Sequence, residues 1–113
     1  MTNFAKIISS GSYLPKKILT NKDLESMVDT SDQWITERTG IKERRVSSKE
    51  ETSVDMAFHA SKDALSKSGI KKEEIGAIFL ATCTPERKFP STAVLLQNKL
   101  DIKNAFSFDI NAA

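Results

Sequence analysis

Ile75-Gly76-Ala77-Ile78-Phe79-Leu80-Ala81-Thr82-Cys83 is the stretch that decides the fold class. From Ala77 to Ala81 it is apolar at every position, with no alternation between an inner and an outer face. A strand with one wet face alternates, whereas a continuously apolar one suits a parallel sheet covered by helices. Residues 75–83 are therefore predicted as a strand buried on both faces.

The flanks supply the covering helices. Upstream, Thr52 or Ser53 caps a helix in which Val54, Ala57, Ala60, Ala64 and Leu65 trace one apolar stripe, and Gly69 ends it. Its alanines are small enough to let the helix approach a sheet closely. Downstream, 85–90 reads as a loop, Ser91 caps a helix carrying Ala93, Val94, Leu95, Leu96 and Leu100, and 105–110 alternates Phe106 and Phe108 with Ser107 and Asp109, the pattern of a strand.

Nearer the N-terminus, 4–10 contains Ile7 and Ile8, stops at Gly11 and turns at Tyr13-Leu14-Pro15, so it is expected to be the first strand. Thr20 or Asn21 caps a short helix through Val28. Thr30, Ser31 or Asp32 caps a second, which carries Trp34, Ile35 and Arg38 and stops at Gly40. Residues 41–46 alternate weakly and read as an exposed edge strand. Strand, helix, strand, helix, strand at this spacing predicts a βαβαβ arrangement in a mixed α/β layered fold. Two substantial helices are few for a sheet buried on both faces, so the 113 residues read as the front part of a larger unit.

Composition narrows the function. Seventeen Lys and Arg stand against 15 Asp and Glu, a formal net charge of +2, with acids and bases interleaved. That balance argues against a nucleic-acid module driven by counterion release. No apolar stretch approaches the roughly 20 residues of a membrane-spanning helix. The N-terminus lacks the basic and apolar regions of an export signal, and a single cysteine cannot form an internal disulfide. A cytoplasmic protein is expected.

Three groups of residues could carry chemistry. His59 has Asp55 four residues before it and Asp63 four after it on the strongest helix, a spacing that could hold a cation. With no second element supplying ligands, a solvated face with local ion pairs is the better reading, and no metal is expected. Cys83 stands just past a buried strand, where parallel sheets often place catalytic groups. Without a thiolate-stabilising neighbour it reads as a small buried thiol.

Trp34 and Arg38 are four apart on one helix and share a face. An exposed indole beside a guanidinium suits a nucleotide, the ring as a stacking platform and the Arg as a phosphate ligand. By spacing alone, a Trp anchored in the core with the Arg lying across it is the commoner arrangement. Only four glycines occur and they are scattered, so no glycine-rich cofactor loop is present and no cofactor is expected.

The order of motifs goes further than spacing. Gly11-Ser12-Tyr13-Leu14-Pro15, Thr20-Asn21, Thr30-Ser31-Asp32-Gln33-Trp34-Ile35, Arg38-Thr39-Gly40-Ile41, Ala81-Thr82, Phe89-Pro90-Ser91 and Phe108-Asp109-Ile110-Asn111-Ala112-Ala113 closely resemble the N-terminal part of β-ketoacyl-acyl-carrier-protein synthase III. The resemblance covers essentially the whole chain, and the stretch from Thr30 to Gly40 is its most specific part.

The resemblance implies a thiolase-like fold, two similar halves stacked in five αβαβα layers, of which residues 1–113 would form the N-terminal, incomplete part. It implies a cytoplasmic homodimer that condenses acetyl-CoA or another acyl-CoA with malonyl-acyl-carrier protein to initiate type II fatty acid synthesis. A cysteine at a helix N-terminus would take the acyl group, its pKa lowered by the helix dipole. A His and an Asn from the second half would assist decarboxylation. The family pattern puts that cysteine directly after Asn111-Ala112-Ala113, so no catalytic residue is expected within the chain. Thr30, Trp34 and Arg38 match residues that bind CoA near the adenine, by stacking on it, and at the phosphates. Phe89 matches one that reaches across the dimer to close the partner's acyl pocket. Cys83 stands where a hydroxyl residue is more usual. Two alternatives remain open: a related synthase with a different acyl starter, and a non-catalytic CoA-binding module.

Overall fold

A computed structural model describes residues 3–111. The chain divides into two compact units, Leu14–Glu51 and a second made of Met1–Tyr13 with Thr52–Ala113.

The Leu14–Glu51 unit runs β1 (Lys17–Thr20), α1 (Asn21–Glu25), α2 (Asp32–Thr39) and β2 (Glu43–Val46). β1 and β2 pair antiparallel, Lys17 opposite Val46 and Thr20 opposite Glu43. The 41–46 edge strand is thus present but shorter, and β1, which the sequence did not announce, is its partner. Thr20 starts α1 with a capping box: its Oγ1 accepts the Asp23 N–H at 3.1 Å and the Asp23 carboxylate accepts the Thr20 N–H at 2.8 Å. The helix ends at Glu25 and not at Val28. The Ser26 hydroxyl donates to the Asp23 carbonyl at 2.6 Å, and Met27 and Val28 close a turn on the Leu24 carbonyl at 2.9 and 3.0 Å.

α2 follows its predicted bounds. Ser31 Oγ accepts the Trp34 N–H at 3.1 Å, and Gly40, at φ 71°, adopts the left-handed conformation that stops it. The unit's interior holds Pro15, Ile35 and the side chain of Asn21.

The second unit runs α3 (Ser53–Ser68), a 3-10 turn (Lys72–Glu74), β3 (Ala77–Ala81), α4 (Thr92–Leu100) and β4 (Phe106–Ile110). β3 and β4 are parallel neighbours, Ala77 opposite Phe106 and Ala81 opposite Ile110, with α4 as the crossover. Thr52 and Asp55 form a second capping box at the start of α3, and Gly69 ends it at φ 70°. Val54, Ala93, Leu96 and Ile102 form the buried apolar core.

Two expectations are corrected here. Residues 4–10 form no strand among the described residues, and Ile7 is 89% exposed. A strand needs a neighbour for its backbone, and this segment rests on a helix instead: the Ser9 hydroxyl donates to the Ala64 carbonyl at 2.8 Å and the Ser12 N–H to the Asp63 carboxylate at 3.1 Å. The βαβαβ run is therefore realised as β3–α4–β4, without its first strand.

The close approach made possible by the small residues of α3 is to this same segment. A Cβ added to Gly11 would lie 2.2 Å from the Ala60 carbonyl oxygen and 2.9 Å from the Ala64 Cβ. Within the described residues β3 is covered on one face, in line with a chain that has too few helices to cover both. Ile78 and Leu80 are half-buried, while Phe79 is 56% exposed and meets Phe106 and Phe108 edge-on, at ring-centroid distances of 5.9 and 4.8 Å. No helix of the described residues is long and apolar enough to cross a membrane.

Candidate functional site

The site is built on α2. Asp32 opens the helix, and two separate contacts hold it there. Its backbone N–H donates to the Glu25 carboxylate at 2.7 Å, a negative charge placed where the helix dipole favours one. Its own carboxylate accepts from Asn21 Nδ2 at 2.8 Å. Asn21 is almost wholly buried and fully paired, donating also to the Ile41 carbonyl at 2.7 Å and accepting from Arg44 at 2.7 Å. This cluster fixes the start of α2 against β2, and Ile35 is buried on the same side of the helix.

Trp34 then faces outward, 55% exposed, so it is not a core anchor. The Arg38 guanidinium carbon lies 5.5 Å from the indole centroid, a cation–π approach across one helical turn. Asp29, Thr30, Ser31 and Trp34 line an open cleft of about 340 Å³. An aromatic face and two hydroxyls thus line a cleft at the N-terminal end of α2, with the Arg38 guanidinium one turn along against the indole. That set can stack on a flat heterocycle, hydrogen-bond its edge and neutralise a phosphate. Asp29 was not singled out from the sequence, where nothing distinguishes it from the other exposed acids.

Phe89 belongs to the other unit, in the loop before α4, and is 90% exposed. Asn111 follows the end of β4 and is exposed, while Ala112 and Ala113 lie outside the described residues.

The remaining candidates resolve into structure. His59 stacks on Tyr13 at 4.9 Å, while Asp55 pairs with Lys99 and Asp63 with Lys67. The hydrogen bonds from Lys99 and Thr52 hold the Asp55 carboxyl well below the usual carboxylate range, and that from Lys67 lowers Asp63. Among the described residues no group of three or more His, Cys, Asp or Glu side chains could hold a metal. Cys83, expected to be buried, is exposed, because β3 ends at Ala81 and the chain bends away before it.

Comparison with known proteins gives this geometry a context. No family model matches the chain. It is 57% identical over 108 residues to the β-ketoacyl-[acyl-carrier-protein] synthase III of Aquifex aeolicus, a match that covers 96% of this chain and 35% of that protein. The chain is synthase III-like over nearly its whole length. A synthase III of Vibrio parahaemolyticus is 51% identical over 110 residues, 97% of this chain and 35% of that protein.

Among solved structures, the synthase III from Aquifex aeolicus superposes with a TM-score of 0.88, over 95% of this chain and 34% of that one. The priming β-ketosynthase of the R1128 polyketide pathway does so with a TM-score of 0.89 at 33% identity, over 95% of this chain and 32% of that one. The fold is thus the thiolase-like α/β fold of the synthase III proteins. The chain spans about a third of the length of the relatives it matches.

Proposed function

We propose that this chain is the N-terminal third of a β-ketoacyl-acyl-carrier-protein synthase III, a cytoplasmic homodimer that joins acetyl-CoA or another acyl-CoA to malonyl-acyl-carrier protein and so initiates fatty acid synthesis. The observation that carries the reading is the Trp34–Arg38 pair, an exposed indole with a guanidinium 5.5 Å from its centroid at the mouth of a cleft lined by Thr30. CoA is a ligand that needs both properties, a flat adenine to stack and phosphates to neutralise. In this reading Thr30, Trp34 and Arg38 hold the CoA head, Phe89 closes the acyl pocket of the partner subunit, and the nucleophilic cysteine follows Ala113. In the same reading that cysteine stands at a helix N-terminus, which stabilises its thiolate.

The likeness to the R1128 priming synthase, 33% identical, favours a second reading in which the same scaffold takes a different acyl starter. The CoA site is common to both.

The full-length protein, given acetyl-CoA and malonyl-acyl-carrier protein, is expected to release a β-ketoacyl product. Trp34→Ala should raise KM for the acyl-CoA and leave kcat within a small factor, the signature of lost uniform binding. The 113-residue chain alone is expected to give no product, since it carries none of the three catalytic groups.

A further inference from the structure

We propose that Glu86 and Asp109 are positioning residues that fix Phe89 and thereby determine which acyl chains the site accepts, an inference that rests on the reading of Phe89 given above. Phe89 is 90% exposed among the described residues, so what this part of the chain contributes to its place is the backbone on either side. Each side is tied by a carboxylate to the start of a helix. Upstream, Glu86 accepts the N–H of Ser53, the first residue of α3. Downstream, the half-buried Asp109 carboxylate at the end of β4 accepts the N–H groups of Thr92 and Ala93 at 2.8 and 2.7 Å, both residues being fully buried.

Neither helix needs its carboxylate merely to begin. α3 has its own Thr52–Asp55 capping box, and α4 has Ser91 Oγ on the Val94 N–H. What the two ties add is the placement of the loop between them, Phe89 standing three residues from Glu86 and three from Thr92. The helix dipoles favour both anions where they sit. Asp109 anchors the downstream side to the core, while Glu86 is exposed and can be changed without disturbing it.

The test compares kcat/KM for acetyl-CoA and butyryl-CoA in the full-length protein. Phe89→Ala should shift that ratio by about tenfold, as one altered pocket wall does. Glu86→Ala should move it in the same direction by a smaller factor, Glu86→Gln, which keeps an acceptor oxygen, should restore it, and CoA affinity should stay unchanged throughout. In the Phe89→Ala background Glu86→Ala should add nothing, because it acts through the missing ring. An unchanged ratio in Glu86→Ala beside a shifted one in Phe89→Ala overturns the inference and leaves the Phe89 reading standing. Additive effects in the double variant overturn it equally, and an unchanged ratio in Phe89→Ala overturns both.

Discussion

Asn21 donates its carboxamide N–H to the Asp32 carboxylate at 2.8 Å, tying the first residue of α1 to the first residue of α2 across a turn that carries Thr30 and Ser31. Asn21→Ala would leave the Ile41 carbonyl and Arg44 without this partner in a site that is almost wholly buried. Loss of such a network costs about 2–3 kcal/mol. A urea titration of the full-length protein should show that loss, and because α2 is no longer pinned, CoA affinity should fall with it.

At the cleft, stacking of a base on an aromatic ring is worth about 1–3 kcal/mol. Trp34→Ala should therefore weaken CoA binding by about tenfold or more in calorimetry, while Trp34→Phe recovers part of it. Arg38→Gln should weaken CoA and flatten the salt dependence of its binding, because a charge–phosphate contact is lost. Equal salt dependence in wild type and Arg38→Gln would remove Arg38 from the phosphate site.

Two glycines offer a contrast in stability. Gly11→Ala forces a methyl to within 2.2 Å of the Ala60 carbonyl oxygen, so the N-terminal segment must lift from α3, at a cost of about 1–3 kcal/mol or more. Gly40→Ala meets nothing within 4 Å and bears only the left-handed backbone at φ 71°, about 1–2 kcal/mol. Thermal melts of the two variants should rank Gly11→Ala as the more damaging.

The acid limb of stability has an identifiable contributor. Hydrogen bonds from Lys103 and Lys72 pull the Asp101 carboxyl down to about 2. An unfolded Asp titrates near 3.9, so the folded state binds this proton less readily. The contribution is present above about pH 4 and is lost as pH falls toward 2. Asp101 sits at φ 56°, a conformation Asn also tolerates, so Asp101→Asn keeps the turn while removing the charge. Its urea midpoint should fall less steeply between pH 4 and pH 2 than that of the wild type.

Much of this was legible in the sequence because the signals were local. Ser31 with Gly40, Thr52 with Gly69, and Ser91 each mark a helix end with a side chain or a backbone conformation that acts within four residues. Trp34 and Arg38 share a face by helical spacing alone. What escaped depends on partners distant in the chain. β1 is four residues with a lysine at its start, recognisable only through its pairing with β2, and 4–10 carries strand-like residues but finds a helix where a strand was needed. Asn21 reads as an ordinary cap candidate, and its four polar contacts come from residues 11 to 23 positions away.

The most direct test of the account is where an acyl group lands. Full-length protein incubated with acetyl-CoA, without malonyl-acyl-carrier protein, should be digested and mapped by mass spectrometry. The account predicts an acetyl thioester on a cysteine directly following Ala113, with Cys83 unmodified and the label lost when that cysteine is replaced by alanine. Acetylation of Cys83, or a residue other than cysteine after Ala113, would contradict it.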